Sequence, residues 1–165
     1  MRGAAAGARG LQDMDAYTAA LRILNYRFNS EAELRRKLRA KKFEDAEIAK
    51  TIERLRDEKW LDDARFAAAF VRSKISKRGP SRIRAELIAA GISNAVADQA
   101  LRENADEDRE REDLASLCAK RIRLMKRRYG EDVLESPHER KKLAAYLLKQ
   151  GYDSALVTDV LGEIE

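Results

Sequence analysis

The chain's apolar residues recur at helical spacing, in short stripes separated by clear breaks. Tyr17, Ala20, Leu21 and Leu24 share one stripe and predict a helix over about 15–28, closed by Asn29-Ser30. Ser30 followed three positions on by Glu33 reads as a capping box: the hydroxyl takes an orphan amide and the glutamate reaches back to the cap's own amide. The helix it starts runs to about residue 41 and carries Leu34 and Leu38. After Phe43, the spacing of Ile48, Ile52 and Leu55 predicts a third helix over about 45–58.

The pattern then restarts. Asp62 and Asp63 favour a helix start, Phe66, Phe70 and Val71 supply its stripe, and Gly79-Pro80 breaks the chain. Ile83, Leu87 and Ile88 mark a helix that stops at Gly91. Ser93 caps another to about residue 103, with Val96, Ala100 and Leu101. A third round opens with a long helix over about 107–129 that carries Leu114, Leu117, Ile122 and Met125 and ends at Gly130. Ser136-Pro137-His138-Glu139 reads as a second capping box, with proline at the favoured first position. Leu143 and Leu147 follow, then Gly151-Tyr152 and a last helix from about residue 154 with Leu156, Val160 and Leu161.

These rounds overlay. A shift of 49 carries Leu34, Leu38 and Phe43 onto Ile83, Leu87 and Ile92, and a further 60 carries those onto Leu143, Leu147 and Tyr152. Tyr17 and Leu21 match Phe66 and Phe70. Ile48 and Ile52 match Val96 and Ala100 after a one-residue gap, and those match Leu156 and Val160 without one. This is an internal repeat of about 50 residues, three helices each. Gly91 and Gly151 are natural left-handed caps. Their counterpart is Lys42, which takes that conformation at a cost of roughly 1 kcal/mol, so a different turn is open there. The expected organisation is a flexible tail over 1–14, then three-helix repeats over 15–61, 62–105 and 106–165. They form an all-α, elongated, curved, solenoid-like body with flexible junctions near 59–63 and 104–108. A long coiled coil suits the composition but not the breaks at Gly79-Pro80 and Ser136-Pro137.

Composition narrows the classes. Ala, Leu, Glu, Lys and Arg supply 95 of the 165 residues, while Val, Ile and Thr supply 17, which excludes a sheet-rich fold. A hydrophobic share of 44% excludes a disordered chain. No apolar run approaches the ~18–20 residues that span a bilayer, and Met1 to Gly10 lacks the bulky core of a signal peptide, so a cytoplasmic protein with no membrane contact is expected. One cysteine, Cys118, and one histidine, His138, cannot build a tetrahedral zinc site or a Cys–His catalytic set. No glycine-rich phosphate loop is present. The expectation is a non-enzymatic monomer with no catalytic residue, metal or cofactor.

Charge supplies the positive signal. The chain carries 34 basic and 29 acidic residues, a formal net charge of +5. The basic residues cluster. Arg35, Arg36, Lys37, Arg39, Lys41 and Lys42 form one run without an acid. Arg72, Lys74, Lys77, Arg78, Arg82 and Arg84 form a second. Lys120, Arg121, Arg123, Lys126, Arg127 and Arg128 form a third. One cluster in each repeat, on or near its first or second helix, points to a polyanionic partner: nucleic acid or an acidic protein groove. Tyr17, Phe66 and Phe70 read as core, so base stacking finds little support.

Three segments carry a family resemblance. Trp60-Leu61-Asp62-Asp63-Ala64-Arg65-Phe66-Ala67 resembles the signature at the junction of the first two repeats of RecX, the bacterial regulators of the RecA recombinase. Arg78-Gly79-Pro80-Ser81-Arg82-Ile83-Arg84-Ala85-Glu86-Leu87, followed by Gly91-Ile92, resembles the family's second-repeat signature. Ser30 through Phe43 is similar to its first-repeat pattern, and the third repeat is matched mainly by its helices. The resemblance implies tandem three-helix repeats and a cytoplasmic modulator that binds RecA, free or as its filament on single-stranded DNA. It further implies a seat in the filament's groove and restraint of ATP hydrolysis, strand exchange and repressor cleavage. Capping and destabilising modes both stay open, as does direct DNA contact. The rival reading is a stand-alone DNA-binding module of helix-turn-helix type. Against it, the turn before the second helix differs in each repeat, and the third repeat is basic there only at Arg140, Lys141 and Lys142. A pure scaffold is the third reading, and it predicts no dependence on nucleic acid.

Overall fold

The computed structural model describes residues 14–164, so the tail expected over 1–14 lies, but for Met14, outside the described residues. The described residues form α1 (Ala16–Tyr26), α2 (Glu31–Ala40), α3 (Asp45–Asp57), α4 (Asp63–Lys74), α5 (Pro80–Ala89), α6 (Asn94–Glu103), α7 (Glu107–Tyr129), α8 (Pro137–Lys149) and α9 (Ser154–Gly162). A short 3-10 turn, Glu131–Glu135, joins α7 to α8, and the described residues contain no strand. The chain is all-α, as the repeat pattern predicts.

Two compact units divide the described residues: 14–66 with 90–92, and 67–89 with 93–164. In the first, Leu34, Leu38, Ile48, Ile52 and Leu55 are fully buried between α1, α2 and α3. The deepest face of α1 is Ala16, Ala19 and Ala20, with Tyr17, Leu21 and Leu24 only half-buried beside it. Methyl side chains let α1 lie close, and the larger residues seal its flanks. α1 stops two residues before the expected end, because Arg27 swings to extended backbone at φ −160° and ψ 158°. The Ser30 cap is half a box. Its hydroxyl accepts from the Glu33 amide at 3.1 Å, but Glu33 turns to Arg27 at 3.2 Å and does not reach back.

In the second unit Leu114, Cys118, Ile122, Met125, Leu143, Leu147, Tyr152, Val157 and Val160 form one apolar cluster. Ile83 and Leu87 are buried on α5, whereas Ile88 is exposed, one step beyond that face. The second capping box does not form. Ser136 enters α8 directly from the 3-10 turn and makes no side-chain cap bond, and Glu139 pairs with Lys142 at 2.7 Å. Proline at the first helical position is what starts this helix.

The repeat register is tighter than residue matching suggests. α3, α6 and α9 begin at residues 45, 94 and 154, related by the same shifts of 49 and 60. Their buried pairs are Ile48 and Thr51, Ala97 and Ala100, Val157 and Val160. No one-residue gap is needed, and the third helices share one register throughout. Lys42 takes the left-handed conformation at φ 67°, as Gly91 does at 86° and Gly151 at 93°, so the turn is the same in all three rounds.

Those turns meet helix starts. In the first unit the Ser30 hydroxyl donates to the Ala90 carbonyl, and a Cβ on Gly91 would overlap the Ala32 methyl. In the second, the Gly79 amide donates to the Gln150 carbonyl at 2.9 Å and the Ser81 amide to the Gly151 carbonyl at 3.2 Å. A Cβ on Gly79 would overlap the Gly151 backbone, and one on Gly151 would overlap Arg82. Residues 30 and 79 correspond under one shift, 91 and 151 under the other, so the same joint is built twice.

Candidate functional site

The three basic clusters differ once folded, because part of each is spent on holding the fold. On α2, Arg35 pairs with Glu31 one turn back at 2.9 Å, the spacing that favours such pairs. Arg39 pairs with Asp45 at 2.7 Å. Lys37 is half-buried and donates to Asn29 Oδ1 at 2.6 Å; burial, then the Arg27 charge, lowers its pKa. Arg36, Lys41 and Lys42 are exposed and make no ion pair among the described residues. Arg36 lies opposite the buried Leu34–Leu38 face, and Lys41 and Lys42 occupy the turn that ends α2.

The second cluster is the most internally tied. Arg78 and Arg82 both bind Glu86, and Arg82 also donates to Gln150 Oε1 at 2.8 Å. Arg84 forks onto Asp98 at 2.6 Å and Asn94 at 3.1 Å. The hydrogen bond from Arg84 holds the Asp98 carboxyl below its usual range and raises the guanidinium in turn. Lys74 lies 5.8 Å from the Phe70 ring centre. Arg72 and Lys77 are exposed and make no ion pair among the described residues.

α7 carries the third cluster. Lys126 pairs with Glu131 at 3.0 Å. Arg121 stacks on Tyr146 and Arg128 on Tyr129, at 4.6 and 5.3 Å from the ring centres. Lys120, Arg123 and Arg127 recur at steps of three and four residues, so they form one exposed stripe, with no ion pair among the described residues. Within the three clusters, the exposed cations without an ion pair or ring contact among the described residues are therefore Arg36, Lys41, Lys42, Arg72, Lys77, Lys120, Arg123 and Arg127. The structure brings Arg78 and Arg82 together at Glu86, and does so for internal reasons.

Residue patterning misses a set of exposed apolar side chains. Tyr26 is 90% exposed, Phe28 55% and Trp60 51%, with Arg65 stacked over Phe28 at 5.2 Å. Tyr26 sits off the Tyr17–Leu24 stripe, which was a signal. Phe28 sits on that stripe and is exposed only because α1 ends early. Among the described residues no cluster of His, Cys, Asp and Glu could hold a metal, and no helix is long and apolar enough to cross a membrane.

Comparison with known proteins decides the family. The pattern described as "RecX, first three-helix domain" matches residues 16–55, and "RecX, second three-helix domain" matches residues 62–101. Regulatory protein RecX of Chlorobium phaeobacteroides is 35% identical over 154 residues, which cover 92% of this chain and 95% of that protein. The chain belongs to the RecX family. A longer RecX, from Oceanobacillus iheyensis, is 30% identical, and this chain spans 53% of its length. The crystal structure of RecX from Lactobacillus salivarius matches with a TM-score of 0.73 at 26% identity, over 90% of this chain and 93% of that one. RecX relatives are regulatory proteins by name, and the three-helix domains that α1 to α6 build are those of the RecX family.

Proposed function

We propose that this chain regulates the RecA recombinase by binding its filament on single-stranded DNA. In doing so it restrains ATP hydrolysis, strand exchange and the filament's coprotease action. It works in the cytoplasm by contact alone, without catalysis or cofactor. The observation that carries this reading is the RecX match along almost the whole chain. The exposed cations support it: among the described residues each cluster leaves some charge outside any ion pair, where acidic protein groups or phosphates can meet it. Three repeats, over 15–61, 62–105 and 106–165, give three linked contacts, each weak alone and strengthened by effective concentration.

The deciding experiment measures RecA ATPase on single-stranded DNA with and without the chain. A stoichiometric fall in rate is expected, and no change sinks the proposal. The variant with Arg36, Lys41, Arg72 and Lys77 replaced by Ala should inhibit less while keeping its helical circular dichroism, since none of the four makes an ion pair among the described residues. If these side chains meet phosphates, the logarithmic salt slope for single strands falls by up to about three units; if they meet carboxylates, it changes less.

A further inference from the structure

Between α7 and the end of α9 lies an open groove of about 680 Å³. Ala115, Ala119, Ile122, Val160 and Ile164 give it an aliphatic floor, and Arg123, Lys126, Arg127, Glu131 and Glu163 supply the polar part of its lining. Both carboxylates are already neutralised: Lys126 holds Glu131 at 3.0 Å and Arg111 holds Glu163 at 2.5 Å. Among the described residues Arg123 and Arg127 have no carboxylate partner, so the rim presents two guanidinium groups free of the ion pairs that hold Lys126 and Arg111. They stand four residues apart, one helical turn, or about 6 Å along α7.

An aliphatic floor selects the kind of occupant. It offers no aromatic face on which a base could stack, so a nucleic acid strand would find charge without a platform. Ala115 and Ala119 are also one turn apart, and their methyl groups let another helix come close along the groove. Apolar anchors spaced i, i+3, i+4 and i+7 on such a helix would fill the floor, and carboxylates one turn apart on its flank would meet the two arginines. We propose that this groove docks a short amphipathic helix of a partner protein, one whose flank carries acidic side chains. Its two arginines belong to the third basic cluster, whereas the recombinase test above replaces only cations of the first two, so the groove and that reading can fail separately.

The test uses the full chain and a synthetic 16-residue helical peptide with leucines on one face and glutamates on the flank, followed by amide chemical shifts in two-dimensional NMR. Shifts confined to Ala115, Ala119, Ile122, Val160 and their neighbours are expected. The same peptide with Lys in place of Glu should bind at least tenfold more weakly. R123E/R127E should reverse that preference. A119W, at an exposed position, should block both peptides while leaving the circular dichroism unchanged. Because the arginine variant alters only exposed side chains, it stays informative if the tryptophan disturbs packing. Equal affinity for the two peptides, or shifts lying elsewhere, overturns the proposal. So do shifts that grow with protein concentration alone, which would make the occupant a second copy, and displacement of the peptide by a single-stranded oligonucleotide.

Discussion

Lys42 and Glu31 show what single residues contribute. Lys42 holds φ at 67°, a conformation in which an L side chain crowds the following carbonyl. Its side chain is exposed and makes no ion pair among the described residues, so K42G should relieve that strain and stabilise the fold by about 1 kcal/mol, read as a higher urea midpoint. Glu31 accepts hydrogen bonds from Arg35 and Arg56. Partial burial alone would raise its pKa, but the bonds from Arg56 and Arg35 outweigh it and hold the carboxyl below its ordinary 4.5. An acid with a depressed folded pKa contributes stability above its unfolded value and loses it as pH falls through the folded one. Urea midpoints should therefore decline below about pH 4.5, and E31Q should flatten that decline. At pH 7 the same variant should cost about 1 kcal/mol, since both arginines remain partly exposed.

At the scale of elements, the joint between a glycine turn and a helix start is the feature with the steepest expected response. G79A puts a methyl group onto the backbone of Gly151 and Tyr152, atoms that cannot swing aside, and should cost about 1–3 kcal/mol. G151A adds the strain of an L residue at φ 93° to an overlap with Arg82, and should cost about 2–4 kcal/mol. Thermal melts followed by circular dichroism rank the two. The sequence marked the serine and glycines of this joint but not what they meet, because in the second unit the contacts are made by main-chain amides and carbonyls that carry no residue signature. The helices themselves were legible, since Leu34, Leu38, Ile83, Leu87, Leu143 and Leu147 repeat at fixed offsets and all are buried. The shared register of the third helices was hidden. Matching favoured the larger Val96 and Leu156, while Ala97 and Val157 face the core. Both capping boxes failed in their glutamate half for one reason: a long carboxylate goes to a nearby cation, Arg27 or Lys142, when one is in reach. The clusters were likewise legible as composition. Arg35 with Glu31 could be foreseen from i,i+4 spacing, but Arg39 with Asp45 and Arg84 with Asp98 needed the fold.

For the whole molecule, two native probes report on the two compact units. Trp60 is the single tryptophan and belongs to the first, and Cys118 is the single cysteine and belongs to the second. Cys118 is fully buried, and burial pushes its thiol up, so a thiol reagent should react only after opening. In G151A, labelling of Cys118 should begin at a lower urea concentration than the change in Trp60 fluorescence; coincident transitions would show that the chain unfolds as one. Ribosomal synthesis meets the same joint as a matter of time. The Gly79 amide finds its acceptor at Gln150, about 70 residues later, and chains grow at roughly 5–20 residues per second. The first turn of α5 therefore waits on the order of ten seconds for the peptide group that completes it. A nascent chain halted before residue 150 should present that turn, open, to proteases.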